Sequence, residues 1–147
     1  MAGFTNRGKM IMIGLMLANQ NEPTSYKLAL CTSAVAPGPD TNVLSDLTEI
    51  AVGNGYSAGG TSVARDLTTG FTNLTEDDTN DYSYVQMQDV SFLASGGPIP
   101  ASGSGARYAV LVDNSSNVIG YMDLLSDQSV SDGQSININN TEFRLEE

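Results

Sequence analysis

Gly55, Ser57 and Gly59 stand at the Gly-x-Ser-x-Gly spacing that lifts a serine nucleophile onto a sharp turn. Such a serine needs a base to take its proton, usually an imidazole. The 147-residue chain contains no histidine, so the spacing is read as accidental. Its glycines fail as a phosphate-binding loop too, because Thr61-Ser62 follows Gly60 with no lysine before it. A second candidate is Thr75-Glu76-Asp77-Asp78-Thr79-Asn80-Asp81, whose oxygens suit calcium. Counted from Asp77, Thr79, Asp81 and Ser83 fall at ligand positions. Tyr82 replaces the required glycine and Gln88 the bidentate glutamate. The segment is read as a solvated acidic turn.

Composition narrows the chemistry further. Without histidine, and with Cys31 as the single cysteine, imidazole or thiolate metal sites and internal disulfides are excluded. Only carboxylate chemistry stays open. Glycoside hydrolases grip sugars on aromatic platforms, and the chain has no tryptophan. The expectation is therefore no enzyme, no catalytic residue, no metal, no cofactor and no small-molecule substrate. Seventeen acidic against six basic residues give a formal net charge of −11. That charge repels nucleic acid and anionic membrane surfaces, so neither is expected as a partner.

The elements that would carry any site follow from the apolar pattern. Residues 1–8 read as a flexible arm, and 9–147 as one β-rich domain of a length that supports a single core. From Lys9 to Asn19 the spacing Met10, Ile13, Leu17 predicts a helix. Ile11, Met12, Leu15 and Met16 widen its stripe until it is apolar nearly all round, which predicts cover on most sides. Basic residues followed by this run give it a signal-peptide flavour, but the cleavage pattern is poor; a short buried helix is the reading. Tyr26, Leu28 and Leu30 alternate as a strand, and a further strand is expected from Thr61 to Leu67. Tyr82–Met87, Val90–Phe92, Ser135–Asn139 and Glu142–Leu145 also read as strands. Arg107–Val112 is continuously apolar, which predicts a central strand covered on both faces, with Val118–Leu124 returning as its hairpin partner. Leu44–Val52 is ambiguous, with one helical turn possible, and Ser126–Gly133 reads as polar loop. Between them, Gly53, Gly55, Tyr56, Gly59 and Gly60 form a structural loop in which glycines permit positive φ while Tyr56 packs over it. The fold class is mainly β, an antiparallel sandwich with one short N-terminal helix.

In order and spacing, several segments resemble a family of small tailed-bacteriophage virion proteins. These are the short apolar helix, Lys27-Leu28-Ala29-Leu30-Cys31-Thr32-Ser33, Ser45-Asp46-Leu47, the glycine loop at 53–60, Asp89-Val90-Ser91-Phe92, Ala106-Arg107-Tyr108-Ala109-Val110 and Ile119-Gly120-Tyr121-Met122-Asp123. The resemblance covers nearly the whole chain; Phe92 stands where such proteins commonly carry tryptophan. It implies a head decoration or cement protein on the outer capsid surface, made in the bacterial cytoplasm. Its partners would be the major capsid protein and itself, as a trimer. No catalytic residue carries over from the family. The expected partner interface is Arg7, Lys9, Met10, Ile13, Met16 and Leu17, a basic lead followed by methionine-rich apolar surface that adapts to differing neighbours. The alternative is a tail or fibre module that contacts host glycan through loops 33–46 and 94–106 with exposed tyrosines.

Overall fold

The computed structural model describes residues 2–146. Its elements are β1 (Ala2–Phe4), α1 (Asn6–Leu17), β2 (Tyr26–Cys31), β3 (Thr61–Val63), β4 (Phe71–Asp77), β5 (Tyr82–Met87), β6 (Val90–Leu93), β7 (Ala106–Asp113), β8 (Val118–Gln128), β9 (Ser135–Ile138) and β10 (Thr141–Glu146). The fold is mainly β, as the alternation predicts. Eight strands form one sheet in the order β3-β2-β7-β8-β1-β10-β5-β4, and β6 pairs with β9 in a separate ribbon.

The apolar run of β7 sets the centre. Ala109 and Leu111 face the main core with Leu28 and Leu30 of β2, while Val110 and Val112 face a second cluster with Cys31, Leu47 and Val118. Leu47 follows a short 3-10 turn at Leu44–Asp46, which supplies the cover that makes β7 buried on both faces. Asp46 holds that turn by accepting from the Val43 amide at 3.0 Å. The ribbon adds Phe92, Ile136 and Ile138 to the main core. The large sheet curls, so that Tyr26 on β2 meets Phe71 on β4 edge to face at 6.1 Å, although five strands separate them in the sheet order.

The start of the chain corrects the expected arm; Met1 lies outside the described residues. Ala2–Phe4 is a strand in the middle of the sheet, antiparallel to β8 and parallel to β10, the one parallel pair among the described strands. Ala2 is buried, and the Phe4 ring packs on Phe143 at 5.5 Å. Thr5 then starts α1 three residues earlier than the periodicity predicts. Its hydroxyl accepts from the Gly8 amide at 2.9 Å and donates to the Val118 carbonyl. Small polar residues read as an arm because three residues are too few to display alternation.

Three further differences follow from short-range pattern failing. The strand expected over Thr61–Leu67 stops at Val63, because Asp66 accepts from the amides of Thr68, Thr69 and Gly70 at 2.9, 2.6 and 3.2 Å and closes a turn. Those bonds to the charged form hold the Asp66 carboxyl well below its usual range. Thr75, Glu76 and Asp77, read as acidic turn, are the end of β4, and the turn itself is Asp78–Asp81. The polar segment after Leu124 stays in β8 as far as Gln128, with an irregularity where Leu125 takes a φ of 69°.

Gly8 fixes how α1 meets the sheet, because a Cβ there would lie 2.1 Å from the Ile119 carbonyl oxygen. Gly8→Ala is expected to lower stability by about 1–3 kcal/mol through overpacking, read as a lower denaturation midpoint. Gly14→Ala is the control. Its new methyl meets only the flexible Gln20 side chain at 3.1 Å, and helix propensity then favours it by up to about 1 kcal/mol. Equal midpoints for the two variants would refute the close contact.

Candidate functional site

Helix α1 rests on β8 and β1 through Gly8, and this seating turns much of its apolar surface outward. Met10, Ile13, Met16 and Leu17 are 54%, 60%, 84% and 79% exposed. Lys9 is exposed beside them and Arg7 half-buried. The i, i+3 and i+4 spacing of Met10, Ile13 and Leu17, with Lys9, Ile13 and Met16, puts these side chains on one continuous face. The expectation of a buried helix, covered on most sides, is thus corrected: Gly8 is its only buried residue. Every side chain expected at the partner interface sits on this one helix. Met12, on the inner side, reaches a cavity of about 520 Å³ at the open end of the curled sheet, lined also by Phe4, Tyr26, Phe71, Leu111 and Phe143.

Charge is distributed unevenly over the surface. Arg65 pairs with Glu22 at 2.5 Å, Arg107 holds Asp123 through two bonds of 2.5 and 2.9 Å, and Arg144 pairs with Glu142 while stacking on Tyr82 at 4.4 Å. Arg7, Lys9 and Lys27 form no ion pair among the described residues, and two of these three lie on α1. Opposite in sign is the β4–β5 hairpin. There Glu76, Asp78 and Asp81 stand exposed around a shallow depression of about 360 Å³, with Leu145 and Tyr82 in its lining. Asp77 is taken up by the turn, accepting from the amides of Thr79 and Asn80 and from the Asn80 side chain. These bonds, the Asn80 side chain first, hold its carboxyl below the usual range. Sequence reasoning missed this surface, since Leu145 is sixty-odd positions from the acids and only strand pairing brings them together (roughly 5 Å between neighbouring strands).

The glycine loop is structural. Gly60 has a φ of 82°, and a Cβ there would sit 1.8 Å from the Leu28 carbonyl oxygen; at Gly55 the obstacle is the Leu93 oxygen at 2.2 Å. Gly53 and Gly59 also have positive φ. This fold of the loop drives Tyr56 into the core, where its ring meets Phe92 at 5.7 Å. The Tyr56 hydroxyl donates to Glu49 at 2.6 Å and accepts from the Leu30 amide at 2.9 Å. Glu49 also accepts from the Gly59 amide at 2.6 Å. Burial first, then the hydrogen bond to Glu49, push the phenol far above its usual range, so it keeps its proton. Ser57 stands exposed in a turn closed by the Gly60 amide on its own carbonyl at 2.9 Å. Four tyrosines lie on strands: Tyr82 and Tyr84 on β5, Tyr108 on β7 and Tyr121 on β8, each only half exposed.

No family model, curated protein or solved structure matches the chain. Among the described residues, no helix is long and apolar enough to cross a membrane, and no group of three or more metal-ligating side chains gathers.

Tyr56→Phe keeps the ring but strands the Leu30 amide and one Glu49 bond. A loss of about 1–3 kcal/mol is expected by chemical denaturation; an unchanged midpoint would remove the hydroxyl from any structural role. Cys31 gives a second check. Burial, and behind it the Glu49 charge, push its thiol up to about 12. Above about pH 8.5 the unfolded thiol ionises while the folded one keeps its proton, so the folded state binds more protons and its contribution to stability falls as pH rises. Iodoacetamide is expected to leave Cys31 unmodified in the folded chain at that pH and to alkylate it on denaturation, with mass spectrometry as the readout.

Proposed function

We propose that this chain is a structural virion protein, a decoration or cement component that binds the outer surface of a major capsid protein lattice and stabilises the head. One observation carries the reading: a well-anchored helix presents Met10, Ile13, Met16 and Leu17 to solvent. Four large apolar side chains at helical spacing, exposed together, form the kind of patch that marks a protein contact. Methionine adds adaptability, which suits a lattice whose subunits meet in slightly different environments. The net charge of −11 fits a position outside a shell filled with nucleic acid, since the same charge inside would face strong repulsion. The resemblance to small tailed-phage virion proteins points the same way. The part-buried contact of Glu49 with Tyr56 is closed by amides, and the tyrosine ring is packed in the core, a poor place for substrate.

Electron microscopy of the parent particle tests the assignment; density on the head lattice is expected, and density confined to the tail would end it. A binding assay sharpens this. Ile13→Glu with Met16→Glu places charges on the exposed face without touching the core. Losing two apolar contacts of about 1.5–3 kcal/mol each with neighbours on the lattice, a second copy included, should weaken co-sedimentation with particles at least tenfold. Undiminished binding by a folded double variant would take the helix out of the interface.

A further inference from the structure

We infer that the exposed face of α1 docks into the acidic depression of the β4–β5 hairpin on a second copy of this chain. This rests on reading the protein as an assembly component and names which partner takes the helix. The argument is one of complementarity between two surfaces already placed. On one side, Lys9 and Arg7 flank Met10, Ile13, Met16 and Leu17 and have no ion-pair partner among the described residues. On the other, Glu76, Asp78, Asp81 and Glu146 ring a depression that Leu145 lines, with Leu145 40% exposed and Leu74 nearby on β4 67% exposed. Each surface joins apolar area to charge of one sign, and the signs are opposite.

Topology adds a geometric reason. β1 runs parallel to β10, so the chain leaves β1 for α1 at the end of the sheet where β10 finishes at Glu146, paired with Tyr82 beside the hairpin turn. Helix and hairpin therefore share one end of the molecule. Apposing two such ends lets the helix of each copy meet the hairpin of the other, so both contacts form at once and the assembly closes. The remaining arginines cannot compete for the hairpin, because Arg65, Arg107 and Arg144 are already paired. A capsid subunit is the other occupant to consider. The second copy is favoured because the complementary surface is present on this chain itself.

Sedimentation velocity on the full chain tests the inference. At about 100 µM and about 50 mM salt, a species larger than one 15.5 kDa chain is expected, and about 1 M salt should shift it toward the single chain by screening the charged rim. Two charge-reversed proteins, Arg7→Glu with Lys9→Glu and Asp78→Lys with Asp81→Lys, should each self-associate at least tenfold more weakly. Mixed together they should associate again, since the reversed helix then meets the introduced lysines and the native helix meets an unaltered acidic hairpin. Lys9, Asp78 and Asp81 are exposed and Arg7 is half-buried, and unchanged circular dichroism confirms that each variant is folded. A wild-type chain that stays single at low salt, or folded variants whose mixture does not recover, would overturn the inference. Particle binding separates this outcome from the broader reading. Single-chain variants that still coat particles leave the decoration role standing, whereas self-association without particle binding removes that role and leaves the docking in place.

Discussion

Backbone hydrogen bonding by three residues joins the two halves of the large sheet. β8 and β10 each present an edge toward the gap between them, and Ala2–Phe4 fills it, pairing with Met122, Tyr121 and Gly120 on one side and with Phe143 and Arg144 on the other. Without that strand, β3-β2-β7-β8 and β10-β5-β4 would be separate sheets with open inner edges. Open edges inside a fold leave amides and carbonyls unpaired, a cost that recurs along the whole edge. The sequence spends small residues on this joint for steric reasons. Gly120, facing Phe4, leaves a gap so narrow that a Cβ would lie 2.7 Å from the Phe143 ring and 2.8 Å from the Gly3 carbonyl oxygen.

From this joint the orientation of α1 follows almost without freedom. Thr5 is buried, its amide donates to the Ile119 carbonyl at 3.0 Å, and its side chain caps the helix that begins at the next residue. Gly8 then lies directly against β8, which fixes the helix axis and the rotation about it. Ile11, Met12 and Leu15 turn inward and are only partly covered, so the outward stripe of Met10, Ile13, Met16 and Leu17 is a consequence of anchoring rather than of fraying. Folding alone does not explain why those four are apolar. Each forgoes about 1.5–3 kcal/mol of burial in the single chain, and polar residues would have served the helix as well. In the docking proposed above, association would supply the missing burial.

What was legible in the sequence was whatever depends on patterns several residues long. The continuous run of β7 predicts burial on both faces, and the structure covers its second face with Leu47 and its neighbours. The alternation of Tyr82–Met87 predicts β5 to the residue. Hidden elements were short or lacked contrast: β1 has three residues, and Phe-Thr-Asn-Leu-Thr-Glu-Asp in β4 offers only two apolar side chains and a bulge after Thr72 that breaks the period. Spacing places the residues expected at a partner interface on one helix, yet it misjudges their exposure. An all-round apolar helix reads as buried, and periodicity carries no information about which neighbour does the burying.

The ion pairs explain why the surface polarises as it does. Three of six basic residues are bound to carboxylates of their own chain, which removes them from the outward field. Two of the remaining three share α1, so the helix stands as a basic spot on an acidic body. Such a body repels its copies at most orientations and attracts them at few, because at about 0.15 M salt the field fades over about 8 Å and only close, matched surfaces feel it. Apolar area then acts at contact range while charge selects the approach. The same division would suit the coat role proposed above, which needs a protein that stays dispersed before it meets its site. An apolar helix with a neutral rim would associate in many ways; the lysine and arginine on this one limit the productive ways to surfaces that are both acidic and apolar.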